Sequence, residues 1–77
     1  MTKTTEIING TTMQKITYST ALGMREAWVH PNGRIEKREG ENGFHILHFV
    51  EGMDGNYHRV FWHTETLVQA IEYLNKN

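Results

Sequence analysis

Cysteine is absent from this 77-residue chain, which excludes a disulfide framework, a thiolate metal site and any cysteine nucleophile. Long hydrophobic runs are missing too. No stretch approaches the roughly 20 apolar residues that cross a bilayer, and the opening MTKTTEIINGTTM lacks the apolar run of a signal peptide. Nor does charge of one sign dominate, since eight basic and nine acidic residues are mixed along the chain. The basic excess by which dedicated duplex binders release counterions is therefore not there. The single serine, Ser19, sits among threonines without a glycine elbow. Together these absences predict a soluble, cytoplasmic protein with no membrane association, and the initial Met fits a complete small gene product. In that setting the glycosylation triplet Asn9, Gly10, Thr11 has no use.

At roughly 100 to 200 residues per domain, the chain has room for one domain over 1–77. A chain of this size buries only about 60 to 65% of its unfolded surface, so its margin of stability is thin. Five histidines are many for this length, and they would make the surface more cationic below about pH 6.5.

Residues 1–12 are polar apart from Ile7 and Ile8 and read as a frayed terminus or short edge strand. The sheet is expected over 13–63 and a helix over 64–76. The first strand, 13–20, is rich in β-branched and aromatic side chains (Ile16, Thr17, Tyr18, Thr20). A turn around Gly23 leads to a strand over 25–30. Pro31, Asn32 and Gly33 then mark a hairpin, with Gly33 supplying the positive φ of a three-residue loop. On that register Val29 faces Ile35 and Trp28 faces Glu36; a two-residue loop would exchange these partners. A strand over 34–38, a polar connector over 39–43, a strand over 44–51, the turn Gly52-Met53-Asp54-Gly55 and a strand over 56–63 complete the sheet. Thr66 followed three residues later by Gln69 resembles a capping box. Leu67, Ala70, Ile71 and Leu74 repeat at helical spacing and form one apolar stripe. The expected fold is α+β: an antiparallel meander of four or five strands packed against one C-terminal helix.

With Gly52 to Gly55 as the loop, Glu51 pairs with Asn56, Phe49 with His58, Leu47 with Val60 and His45 with Trp62. The face bearing these last six apolar and histidine side chains is assigned to the helix. The other face carries Phe44, Ile46, His48, Val50, Tyr57, Arg59, Phe61 and His63. A helix of about 10 to 12 residues spans only some 15 to 18 Å and covers one face of such a sheet. The second face therefore needs another cover, and Ile46, His48, Tyr57, Arg59 and Phe61 are the candidate interaction residues. Aromatic and arginine anchors within a polar surround are typical of protein interfaces, whereas an apolar patch left bare is an aggregation hazard. The N-terminal segment or a curling of the sheet could also bury part of it.

Chemical sites are not prominent. On this register His45 and His58 lie roughly 13 Å apart at about 3.3 Å per residue, as do His48 and His63, too far for one zinc ion. Glu36, Glu39 and Glu41 form a solvated charge run, and the glycines serve turns; none opens a helix as a phosphate loop does. No cofactor and no metal is expected, and the chain is read as not an enzyme. The expected function is a non-enzymatic protein-binding module that occludes a site on a larger partner. Size and architecture are those of small accessory proteins of bacteriophages and mobile elements, among them inhibitors of host defence such as anti-CRISPR proteins, by analogy alone. The alternatives are a homodimeric structural protein and a single-stranded nucleic-acid binder. In the latter Tyr57, Phe61, Arg59 and His48 would stack bases while Arg34, Lys37 and Arg38 met phosphates.

Overall fold

A computed structural model describes residues 2–76; Met1 and Asn77, the ends of the expected 1–77 domain, lie outside the described residues. Six strands, β1 (Thr2–Ile8), β2 (Thr11–Thr20), β3 (Gly23–His30), β4 (Gly33–Arg38), β5 (Phe44–Glu51) and β6 (Tyr57–Thr64), precede one helix, α1 (Leu67–Lys76). The strands form a single antiparallel meander in chain order. The α+β architecture is as expected, with more strands than the expected four or five. The added strand is β1, which pairs with β2 along its full length. Its cause is the Asn9-Gly10 turn. Both residues adopt positive φ, 50° and 76°, the geometry of a two-residue turn whose twist matches the flanking strands.

The helix lies on one face of the sheet. Ala70, Ile71 and Leu74 bury against Met13, Trp28, Ile35 and Ile46, with Ile8, Phe44, Leu67 and Tyr73 packed at the margin. Trp28 is sealed from above and beside. Its indole N–H donates to Glu6 Oε2 at 3.1 Å, and the Lys15 ammonium lies 5.3 Å from its ring centroid. Lys15 is itself held by Glu26 at 3.1 Å and Glu6 at 3.7 Å. The hydrogen bond to Glu26 is the main reason its pKa rises above the ordinary lysine value.

Both ends of α1 are tied. At the start, Thr66 Oγ1 accepts from the Gln69 amide and Gln69 Oε1 accepts from the Thr66 amide, each at 3.1 Å, so the capping box forms as expected and the helix proper starts at Leu67 rather than Thr64. At the end, Asn32 Nδ2 donates to the Leu74 carbonyl at 2.8 Å, satisfying one of the carbonyls that a helix terminus leaves open. The Asn32 amide donates to His30 Nδ1 at 2.9 Å, which leaves His30 Nε2 as the protonated nitrogen facing Asn75 Oδ1 at 2.7 Å. Buried His48 meets the Tyr73 hydroxyl at 2.8 Å.

Two expected registers are corrected. His30 pairs with Gly33, so the β3–β4 loop is Pro31-Asn32 alone, and Trp28 faces Ile35 while Val29 faces Arg34. Gly33 is a strand residue whose φ is not positive. It is needed for clearance, since a Cβ there would stand 2.6 Å from the Leu47 carbonyl, 2.9 Å from His48 Cβ and 2.9 Å from Leu74 Cδ2. Across the β5–β6 hairpin, Glu51 pairs with Tyr57, Phe49 with Arg59, Leu47 with Phe61 and His45 with His63. Asn56 joins the turn because its amide donates to Asp54 Oδ1 at 3.0 Å, and that extra residue shifts every partner by one.

Gly33→Ala is expected to lower stability by about 1 to 3 kcal/mol through overpacking beneath Leu74. Tyr73→Phe should cost about 1 to 3 kcal/mol by leaving His48 short of a partner. Urea denaturation midpoints of the two variants check both values.

Candidate binding surface

The corrected register divides the expected interaction residues. Ile46 and His48 are 1% and 3% exposed and lie under the helix, where Ile46 joins the core and His48 bonds Tyr73. They are not available to a partner, and His45, Leu47 and Phe49 take their place on the opposite face. Tyr57, Arg59 and Phe61 do stand on the face that the helix leaves open, as expected. Phe61 and Tyr57 are each 69% exposed and Phe49 60%. The β5 assignment was therefore inverted while the β6 assignment holds.

These side chains gather on a projecting arm. β4 pairs with β5 only from His45 to His48, so Phe49, Val50 and Glu51 pair with β6 alone. Beyond His48 the sheet narrows to two strands, joined by residues 52–56. Apolar side chains occupy both faces of this arm and its tip. Phe49 and Tyr57 lie on the open face, Val50 on the other, and Met53 at the turn is fully exposed. The turn is held by Gly52 N–H donating to the Asn56 carbonyl at 2.8 Å, Gly55 N–H donating to the Gly52 carbonyl at 3.0 Å, and the Asp54 carboxylate. The Asn56 amide bond is the principal cause of a lowered Asp54 pKa, with the His58 contact second.

The open face is also where the arginines collect. Arg25, Arg34, Arg38 and Arg59, all the arginines in the sequence, share it by register with Lys3. Glu36 sits among three of them, 3.9 Å from Arg25 and 3.8 Å from Arg38. It also accepts the Tyr18 hydroxyl at 2.8 Å, and Tyr18 in turn accepts from Arg34 at 3.2 Å. Arg59 stands outside this network. Among the described residues it forms no ion pair, and its guanidinium lies 6.0 Å from the Phe61 ring centroid, within reach of a cation–π attraction. The face thus has a self-neutralised polar half around Glu36 and an uncompensated aromatic half around Arg59.

His45 and His63, expected on opposite faces, pair across the hairpin with ring centroids 5.1 Å apart. His45 contacts Glu41 at 3.2 Å and His63 the Asn42 carbonyl at 3.2 Å. Among the described residues no three histidine or carboxylate side chains converge to hold a metal ion. No described helix is long and apolar enough to cross a membrane. Comparison with protein families, curated proteins and solved structures yields no match.

Sequence reasoning missed the arm and the segregation of arginine to one face. The arm depends on the β5–β6 register, whose signal is Asp54 two residues before Asn56, an Asx-turn spacing that absorbs Asn56 into the loop; the segregation depends on the β3–β4 register, which sets Arg34 and Arg38 on the face of Arg25. Because the folded-state pKa of Asp54 is depressed, its contribution to turn order is present above the unfolded value and lost as pH falls through the folded one. The Asn56 amide resonance is therefore expected to titrate with a midpoint below the ordinary aspartate range, and Asp54→Asn should abolish that titration in the same NMR experiment.

Proposed function

We propose that this chain is a non-enzymatic protein-binding module, an accessory or inhibitor protein that seats its β5–β6 arm and the adjoining open face on a larger partner and occludes a site there. The observation that carries the reading is the arm itself. Phe49, Val50, Met53 and Tyr57 are exposed on a two-stranded projection, with exposed Phe61 on the open face beside it, and an isolated two-stranded hairpin is marginally stable in water. Large apolar side chains on both faces of such a projection suit a groove that grips it from two sides. Tyr57, Arg59 and Phe61 are of the residue types that anchor interfaces, and among the described residues Arg59 has no ion-pair partner to relinquish. The analogy to phage-encoded inhibitors such as anti-CRISPR proteins stays with this reading as one of size and architecture.

A second reading, single-stranded nucleic acid on the open face, is favoured by one observation. A chain with a formal net charge of -1 places all its arginines on the side that bears Phe49, Tyr57 and Phe61, where bases would stack and phosphates pair. The exposed apolar groups on the reverse of the arm have no role in it.

Affinity capture from a bacterial lysate, with and without nuclease, separates the two. The protein-binding reading expects a near-stoichiometric protein band that survives nuclease and disappears with Tyr57→Ala or Phe61→Ala. Because these side chains are already exposed, both variants should unfold within about 0.5 kcal/mol of the parent. A band lost with nuclease would transfer the proposal to nucleic acid. Variants that capture as well as the parent would remove the arm from the interface.

A further inference from the structure

β6 presents a second feature, its backbone edge. Among the described residues it pairs with β5 alone, and from Tyr57 to His63 every residue except Val60 is exposed. Edge strands are ordinarily protected by Pro, Lys, a bulge or a covering segment. The β6 sequence Tyr-His-Arg-Val-Phe-Trp-His-Thr contains neither Pro nor Lys, its one arginine, Arg59, being the single permanent charge, and its register with β5 runs without a bulge from Phe44–Thr64 to Glu51–Tyr57. Among the described residues no segment pairs with its free edge; α1 packs on the face of β6, where Tyr73 stacks on Trp62, and runs on to end against His30 and Thr11. The opposite edge is guarded differently: β1 carries Lys3, Glu6 and three threonines.

We infer that β6 pairs antiparallel with β6 of a second copy of this chain, about a two-fold axis through Val60. A two-fold axis normal to the sheet keeps each face on its own side, so residues directly opposite must share a face. With Val60 on the axis, Arg59 lies opposite the second copy's Phe61, His58 opposite its Trp62 and Tyr57 opposite its His63. Every large side chain then meets a complementary one. Each guanidinium gains the face of a Phe61 ring, repeating across the axis the contact that Arg59 makes within its own strand. The neighbouring registers are worse. Moving one step toward the turn sets Arg59 against its own copy, a like-charge pair. Moving the other way sets Arg59 against His63 and leaves Tyr57 without a partner. In the Val60 register the two sheets become continuous, and the open faces merge into one surface with both aromatic clusters at its centre.

This pairing uses the strand edge and no outside partner, so its test is independent of the binding function proposed above. The full chain is examined by sedimentation equilibrium, and Val60→Cys is examined by mild air oxidation. The chain has no other cysteine, and Leu22→Cys, in an exposed loop, serves as the collision control. The expected results are a parent of twice the monomer mass, disulfide-linked dimer for most Val60→Cys chains, and little for Leu22→Cys. Val60→Lys, which sets two ammonium groups across the axis, should sediment as a folded monomer with unchanged circular dichroism. A monomeric parent would overturn the inference. So would a dimeric parent in which Val60→Cys links no faster than Leu22→Cys, since that dimer would be built on another surface.

Discussion

The close approach of Leu74 to the backbone of Gly33 is the contact on which the rest of this structure depends. One ten-residue helix covers the core on one sheet face, and it packs close over β4 at a strand position without a side chain, where a Cβ would stand 2.9 Å from Leu74 Cδ2. From that seat the other ties follow. Asn32 closes the Leu74 carbonyl, and His30 and His48 accept burial because Asn75 and Tyr73 meet their ring nitrogens. Buried polar groups of this kind are tolerable only when each finds a partner. Here the partners come from the helix, so displacement of the helix would leave both histidines unmatched at once.

Seating the helix on one side also decides what the other side becomes. Trp28, Ile35 and Ile46 are claimed for the core, and the alternation of strand side chains then sends the arginines, Tyr18, Glu36 and the β6 aromatics outward. Glu36 can neutralise the neighbours it reaches, Arg25, Arg38 and the Tyr18–Arg34 pair. It does not reach the arm, whose Arg59, Phe49 and Tyr57, with Phe61 beside them, keep their full capacity for outside contacts. The polar half behaves as scaffold, and the aromatic half is where free energy of association is available.

The sequence carried the element order well and the registers poorly, for identifiable reasons. β5 and the apolar stripe of α1 announce themselves by composition and period, and the Thr66–Gln69 cap by a spacing that needs no tertiary context. The reading of β1 stayed open between a frayed terminus and a short edge strand although Asn9-Gly10 is a strong hairpin signal, because its strand is polar and the triplet with Thr11 drew a different reading. The two hairpin registers turned on single residues at the turns. Gly33 looked like a turn glycine when its role is clearance under a helix 40 residues further on, which local sequence does not express. Asn56 looked like the start of a strand when the Asp54 carboxylate holds it in the loop. A slip of one residue on β5 exchanged Ile46 and His48 for His45, Leu47 and Phe49, and so moved half of the candidate surface into the core.

The strict chain order of the meander has a consequence for how the molecule is made. Each strand pairs only with its neighbours in sequence, so every rung of the ladder closes a short loop at low entropic cost. The buried cluster is different. It joins Ala70, Ile71 and Leu74 to Met13, Trp28, Ile35 and Ile46, partners far apart in sequence. Hairpins can therefore form locally before the helix docks, yet nothing locks them until it does. That interval is when the unprotected strands are most open to capture by other chains.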